Sequence, residues 1–334
     1  MFANAMFDGW FRSAAEGLGL WQYELHGILA VLFVSVICGM VGTLVVGNRM
    51  AFFSDAMAHC SFAGVALGML MALLSSRGPE WTLDARHELQ DWLVPLVMVV
   101  FSTMVGIGIA YVREQTTLAA DTVIGVFFAG AIGFGAVLLP ILRSVGSRFD
   151  PEMFLFGNPW VASSIDVIYL VLLLGITFIF MMFRYNQLIQ ASFHPTLARS
   201  RGVPLRLNNY LFIILLALIV NFSLKAVGVL LINGLLIVPA ATACNLAINL
   251  RQLFWLTITI SVGSGLLGLW FSSLVQTMLS EAGTTVKLGP SGPILLLCVS
   301  AFVLSIVLGP WLRSILHRGV NRSPAVQRSI IGGS

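Results

Sequence analysis

Met50-Ala-Phe-Phe-Ser-Asp-Ala-Met-Ala-His-Cys-Ser-Phe-Ala-Gly-Val-Ala-Leu-Gly68 is the stretch that decides how this chain is read. Apolar residues continue to Leu74, so it has the length and character of a lipid-buried helix. Near its start stand two ionisable side chains, Asp55 and His59. Positions i and i+4 stack on one helical face, about 6 Å apart along the axis. A carboxylate oxygen and an imidazole nitrogen on one face can share a divalent metal. The spacing fits a plainer arrangement equally well: Asp55 caps the helix N-terminus, where the macrodipole favours an anion, and His59 is merely bonded to it. Ionisable groups inside a membrane are costly, so the pair is where function is sought first.

The rest of the chain shares that setting. Of its 334 residues, 58% are hydrophobic and 10% charged, with a mean hydropathy of +0.95. A soluble domain carries about 25% charged residues. Nine apolar stretches are long enough to span a bilayer: 25–47, 50–75, 93–112, 118–142, 163–184, 208–224, 226–248, 253–279 and 293–316. The sixth and seventh meet so tightly at Ser223-Leu224-Lys225 that eight spans is an alternative. The expected fold is an all-α polytopic membrane protein of eight to nine transmembrane helices. Residues 1–24 form an interfacial N-terminal segment rather than a cleavable signal peptide, 25–316 the transmembrane domain, and 317–334 a basic cytoplasmic tail. Cys38, Cys60, Cys244 and Cys298 all fall in apolar segments without CxxC spacing and read as small buried hydrophobes.

Net charge +4 and a pI near 9.1 could point to nucleic acid, but the basic residues are scattered between spans, and no nucleic-acid partner is expected. Topology explains them better. With residues 185–207 in the cytoplasm, Arg184, Arg199, Arg201, Arg206, Arg313 and Arg318 all lie inside. Glu80, Asp84, Glu88, Asp91, Asp150 and Glu152 then lie outside, and so does the N-terminus. Asp55 falls near the cytoplasmic end of the second span, with His59 one turn deeper.

Other features are less specific. Asp121 opens the fourth span, as a cap or as a pathway carboxylate at the depth of Asp55. Gly64 and Gly68 make a GxxxG for close helix packing, and Gly125, Gly130, Gly133 and Gly135 leave the fourth span able to approach neighbours. The seventh span carries Asn233, a kinking Pro239 and Thr242, a pattern shared by pathway-lining and packing helices. Ser192-Phe-His-Pro-Thr-Leu-Ala-Arg-Ser-Arg-Gly202 signals a short helix between two spans, either a docking surface or a solvated connector. There is no HExxH and no phosphate loop; the only lysines are Lys225 and Lys287. An ATP-driven process would need its ATPase on another chain. A proton-coupled transporter could use Asp55 and His59 as a relay. An intramembrane hydrolase would have only Ser264, between Gly263 and Gly265, to offer.

Four separated segments resemble one family, the permeases of bacterial zinc/manganese ABC importers. They are Gly39–Gly68 with Arg49-Met50 and Asp55-x-x-x-His59; Asp121-Thr-Val-Ile-Gly125 with Phe154-Leu-Phe-Gly157 downstream; the His194–Val203 loop; and Val227–Ala243 with Val-Pro-Ala-Ala-Thr-Ala. The resemblance implies a type II ABC importer-like permease in the bacterial inner membrane. It would form a homodimer, pair with two cytoplasmic ATPase subunits and receive metal from an extracytoplasmic binding protein. It further implies that Asp55 and His59 are the metal pair, that no cofactor is permanently bound, and that His194, Pro195, Leu197, Ala198, Arg199 and Gly202 belong to the ATPase-coupling loop. The wording around Met57-Ala-His59 looks closer to the zinc branch, with manganese or iron as alternatives. Residues 76–92 read as an unusually long charged outer loop, and the tail after His317 as an extension.

Overall fold

The computed structural model describes residues 21–76, 83–144, 157–193, 195–281 and 289–320, together with much of 9–19. Among the described residues from Gln22 onward, helices run in order: α1 Gln22–Gly47, α2 Phe53–Ser75, α3 Leu83–Gln115, α4 Ala120–Ser144, α5 Ser164–Phe193, α6 Pro195–Ser200, α7 Leu205–Val227, α8 Val229–Leu246, α9 Leu250–Glu281 and α10 Ser291–Val320. A 3-10 turn, Pro159–Val161, precedes α5, and there is no strand among the described residues. Nine of these helices are long and apolar enough to cross a membrane; α6 is the exception. In lipid every backbone polar group needs an internal partner, and a helix supplies one for each residue.

Local chemistry sets the boundaries. Gly228 adopts φ +86°, a conformation that costs glycine little, and its N–H donates to Leu224 O at 2.9 Å. That single residue ends α7 and begins α8, so the eight-span alternative falls. At the start of α5, Ser163 N–H donates to Asp166 Oδ2 at 3.0 Å while Asp166 N–H reaches back to Ser163 Oγ at 3.4 Å, a capping box. Lys225, in the last turn of α7, completes this corner with a 3.0 Å ion pair to Asp166.

Three expectations are corrected. The segment 76–92 is not all loop, because α3 already begins at Leu83 and carries its charged residues beyond the apolar window at Trp92. Likewise 185–193 continues α5, so the inter-span connector shortens to α6 and its flanks. The C-terminal boundary drawn at 317 lies inside α10; the tail from 321 onward, like residues 1–8, is outside the described residues. Hydropathy marks where lipid ends, and a helix has no reason to stop there.

Two helix groups pack around a shared centre. α2 lies broadly on α3 and α4, and α7 joins α3. On the other side α1 packs on α5, α8 and α9, and α10 covers α8 and α9. Gly64 and Gly68 face α3 so closely that an added Cβ would meet Met98 Cα at 2.9 Å and Val94 Cα at 3.0 Å, as the GxxxG spacing implied. Gly125, Gly130 and Gly133 of α4 instead face open space within this chain. α2 meets α8 over a small patch only, and the candidate site falls there.

Candidate functional site

Asp55 lies in the first turn of α2. The residue preceding the helix is Phe52, which makes no side-chain cap, so the reading of Asp55 as an N-cap is overturned. Its carboxylate turns across the seam instead: Oδ1 accepts a 2.8 Å hydrogen bond from Asn233 Nδ2 of α8. The structure thereby unites two sequence candidates 178 positions apart. The N-terminal position still places the carboxylate where the α2 dipole favours negative charge. Asn233 has used one N–H on Asp55, while its Oδ1 is buried and has no protein hydrogen-bond partner.

His59 follows one turn later on the same helix. Its ring meets Phe128 of α4 edge to face, with centroids 4.9 Å apart and planes at 88°. Phe128 was not foreseen as a neighbour; it is one apolar residue among many in a run where nothing local distinguishes it. Asp55 and His59 are both partly buried, while Cys60 is fully buried, in keeping with its different helical face. Cys38 and Cys298 are also buried, but Cys244 is exposed, contrary to its reading as a core residue.

Asp121 is exposed in the first turn of α4, and the charge it acts on is Arg113 at the end of α3. Pro239 is buried inside α8, six positions after Asn233 on the same helix. In the connector, Ala198 is fully buried and Arg199 exposed. Gly202 has φ +70° and ends the turn, its N–H bonding Arg199 O at 3.0 Å. His194 lies outside the described residues, as do Phe154, Leu155 and Phe156. Pro195 and Leu197 belong to the backbone of α6.

A polar network that sequence reading missed sits farther along α2. Ser61 Oγ is 2.7 Å from Asn221 Oδ1 of α7, and Asn221 Nδ2 donates to Ser102 Oγ of α3 and to Ala217 O at 2.6 Å. An isolated asparagine in the apolar run Ile219-Val-Asn-Phe222 was the available signal.

Chemically, the site offers one carboxylate, one imidazole and an amide oxygen. No cluster of three or more His, Cys, Asp or Glu occurs among the described residues. The Ser264 hydroxyl donates to Ile260 O of its own helix.

Nine apolar helices with a carboxylate–imidazole face between them define a multi-pass membrane protein with an internal polar site. Residues 21–309 match the model of the ABC 3 transport family, and the chain belongs to that family. It is 28% identical over 253 residues to the manganese transport system membrane protein MntC of Halalkalibacterium halodurans, covering 75% of this chain and 79% of that one. It is also 27% identical over 288 residues to the high-affinity zinc uptake system membrane protein ZnuB of Haemophilus influenzae, covering 86% of this chain and 98% of that one. Its fold is similar to a chain in the structure of PsaBC from Streptococcus pneumoniae in complex with Fab, with a TM-score of 0.69 at 23% identity, covering 91% of this chain and 98% of that one.

Proposed function

We propose that this chain is the membrane permease of an ATP-driven importer of divalent metal ions, with Asp55 and His59 coordinating the ion in transit. The observation that carries the reading is Asp55 itself. It is a carboxylate within an apolar bundle, released from helix capping and turned toward the seam between two helix groups. The family membership and the manganese and zinc relatives support it. A divalent cation sheds much of its water on entering such a site, and fixed oxygen and nitrogen donors replace it.

So few donors on one chain fall short of that replacement, so the permease works as a homodimer in which a second Asp55/His59 pair completes the shell. The open glycine face of α4, beside Phe128 and His59, supports close approach of a second copy. Energy comes from a separate cytoplasmic ATPase, engaged through the connector from His194 to Gly202, where Ala198 anchors α6 and Arg199 stands exposed. An extracytoplasmic binding protein delivers the metal to the acidic outer side.

Zinc is the cargo that the sequence around Met57–Gly68 favours. Manganese is the second reading, favoured by the amide oxygen that Asn233 brings beside Asp55, since harder cations accept more oxygen ligands. Uptake of each metal into proteoliposomes, with and without the ATPase and ATP, tests the reading. ATP-dependent accumulation is expected; uptake that follows a proton gradient and ignores ATP replaces it with the proton-coupled transporter.

A further inference from the structure

We infer that Asn233 is a two-faced cargo ligand: it holds Asp55 through its N–H group when the site is empty and turns its amide oxygen to the cation when the site is loaded. This rests on the metal-pathway reading of Asp55 and His59. Three observations carry it. Asn233 Nδ2 donates to Asp55 Oδ1 at 2.8 Å. Its Oδ1 is enclosed without a protein donor, a state unfavourable for a buried acceptor. The two atoms of one planar amide are about 2.2 Å apart, so Oδ1 lies within about 5 Å of the carboxylate oxygen. A rotation of the side-chain amide by about 180° exchanges the two atoms, since oxygen and nitrogen occupy nearly the same shape.

Facing a bare carboxylate, only the N–H orientation is favourable; the oxygen would repel it. A cation bound to Asp55 reverses that preference, because the amide oxygen then meets positive charge and gains the partner it lacks. The same exchange replaces the Asn233–Asp55 hydrogen bond across the small α2–α8 contact with a bridge through the cation. An amide oxygen is a hard donor, so Asn233 also biases the site toward manganese over zinc.

The test uses the permease reconstituted with its ATPase, supplied with manganese or zinc chloride alone. Asn233→Ala is expected to lower manganese uptake about 10–100-fold, the usual effect of losing a group that supports metal ligands. Zinc uptake falls less, so the manganese-to-zinc ratio drops by at least about fivefold. Asn233→Asp, which keeps an oxygen, holds the ratio at or above its original value. If Asn233→Ala fails to assemble by size exclusion, Asn233→Gln and Asn233→Leu replace it, and the ratio retained by the first and lost by the second supports the inference. An unchanged ratio in Asn233→Ala, or equal loss of both metals, overturns it while Asp55→Ala still abolishes transport. Normal transport by Asp55→Ala instead removes the reading beneath it, which is a separate failure.

Discussion

Two asparagines inside the bundle are used in opposite ways. Asn221 is completely buried, and its whole amide is matched: Oδ1 by Ser61, Nδ2 by Ser102 and by Ala217 O. Asn233 is only partly buried; it spends one N–H on a carboxylate and leaves its oxygen without a partner. A polar group with every bond satisfied in a low-dielectric interior stiffens what it joins, here α2, α3 and α7. One left incomplete is held at a cost that some other state repays. On the proposed reading, the network at Asn221 belongs to the fold and the pair at Asn233 to transport.

The largest test removes the charge. Asp55→Ala or His59→Ala is expected to reduce metal uptake by at least about 100-fold, a loss of about 2.7 kcal/mol or more in transport free energy. The amount of assembled, monodisperse protein should stay near normal, because Asp55 makes a single contact across a small interface. Full uptake by both variants would return the pair to a structural role and dissolve the contrast with Asn221.

Asn221→Ala should behave in reverse. It removes bonds to partners on three helices and leaves Ser61 and Ser102 with only Met57 O and Val99 O of their own helices. Intramembrane hydrogen bonds average about 0.6 kcal/mol and reach about 1.7, so a loss of about 2 kcal/mol is expected, visible as a lower melting temperature in detergent. Uptake per folded molecule should change little. A normal melt with lost uptake would move Asn221 into the transport pathway.

Gly64→Ala probes the same helix pair without touching a polar group. The new Cβ would sit 2.9 Å from Met98 Cα, so α2 and α3 must separate, at a cost of about 1–3 kcal/mol. The expected result is again a melting shift, here with a fall in uptake, because moving α2 displaces Asp55 and His59 together. Gly125→Ala, on the open face of α4, should leave the isolated chain's melt unchanged and, if the proposed homodimer forms through that face, weaken only the association of the two copies.

Much of this was legible in the chain itself. The spans follow from apolar length and the close packing of α2 from Gly64 and Gly68, whereas the break between α7 and α8 was sought at 223–225 and falls at Gly228. Asp55 and His59 were recognisable because charge in lipid is rare. What could not be read was partnership. Asp55 and Asn233 are 178 positions apart, Ser61 and Asn221 160, and no local periodicity encodes which of many apolar helices lie side by side. That is why Asp55 looked as much like a cap as a ligand, why Asn233 was only one polar handle on a kinked helix, and why Asn221 was passed over. The helical extensions 83–92 and 185–193 were hidden for another reason: they carry charged and polar residues that a reading by apolar length leaves out.

The smallest expected effect lies at the corner where α5 and α7 meet, a third polar contact with water on one side. Lys225 pairs with Asp166 at 3.0 Å, but the lysine side chain is 54% exposed and the aspartate 7%. Solvent competes for the ammonium, so Lys225→Met should cost about 0–1 kcal/mol, the range of exposed ion pairs. Asp166→Ala should cost more, about 1–2 kcal/mol, because the carboxylate also accepts from Ser163 N–H and Ser163 Oγ at the start of α5. Thermal melts at low and high salt separate the two contributions: added salt should narrow the gap between wild type and Lys225→Met and leave that of Asp166→Ala largely in place. Equal salt sensitivity in both would mean that the ion pair, not the cap, holds this corner. In that case enclosure alone would not distinguish structural polar groups from the incomplete one at Asn233.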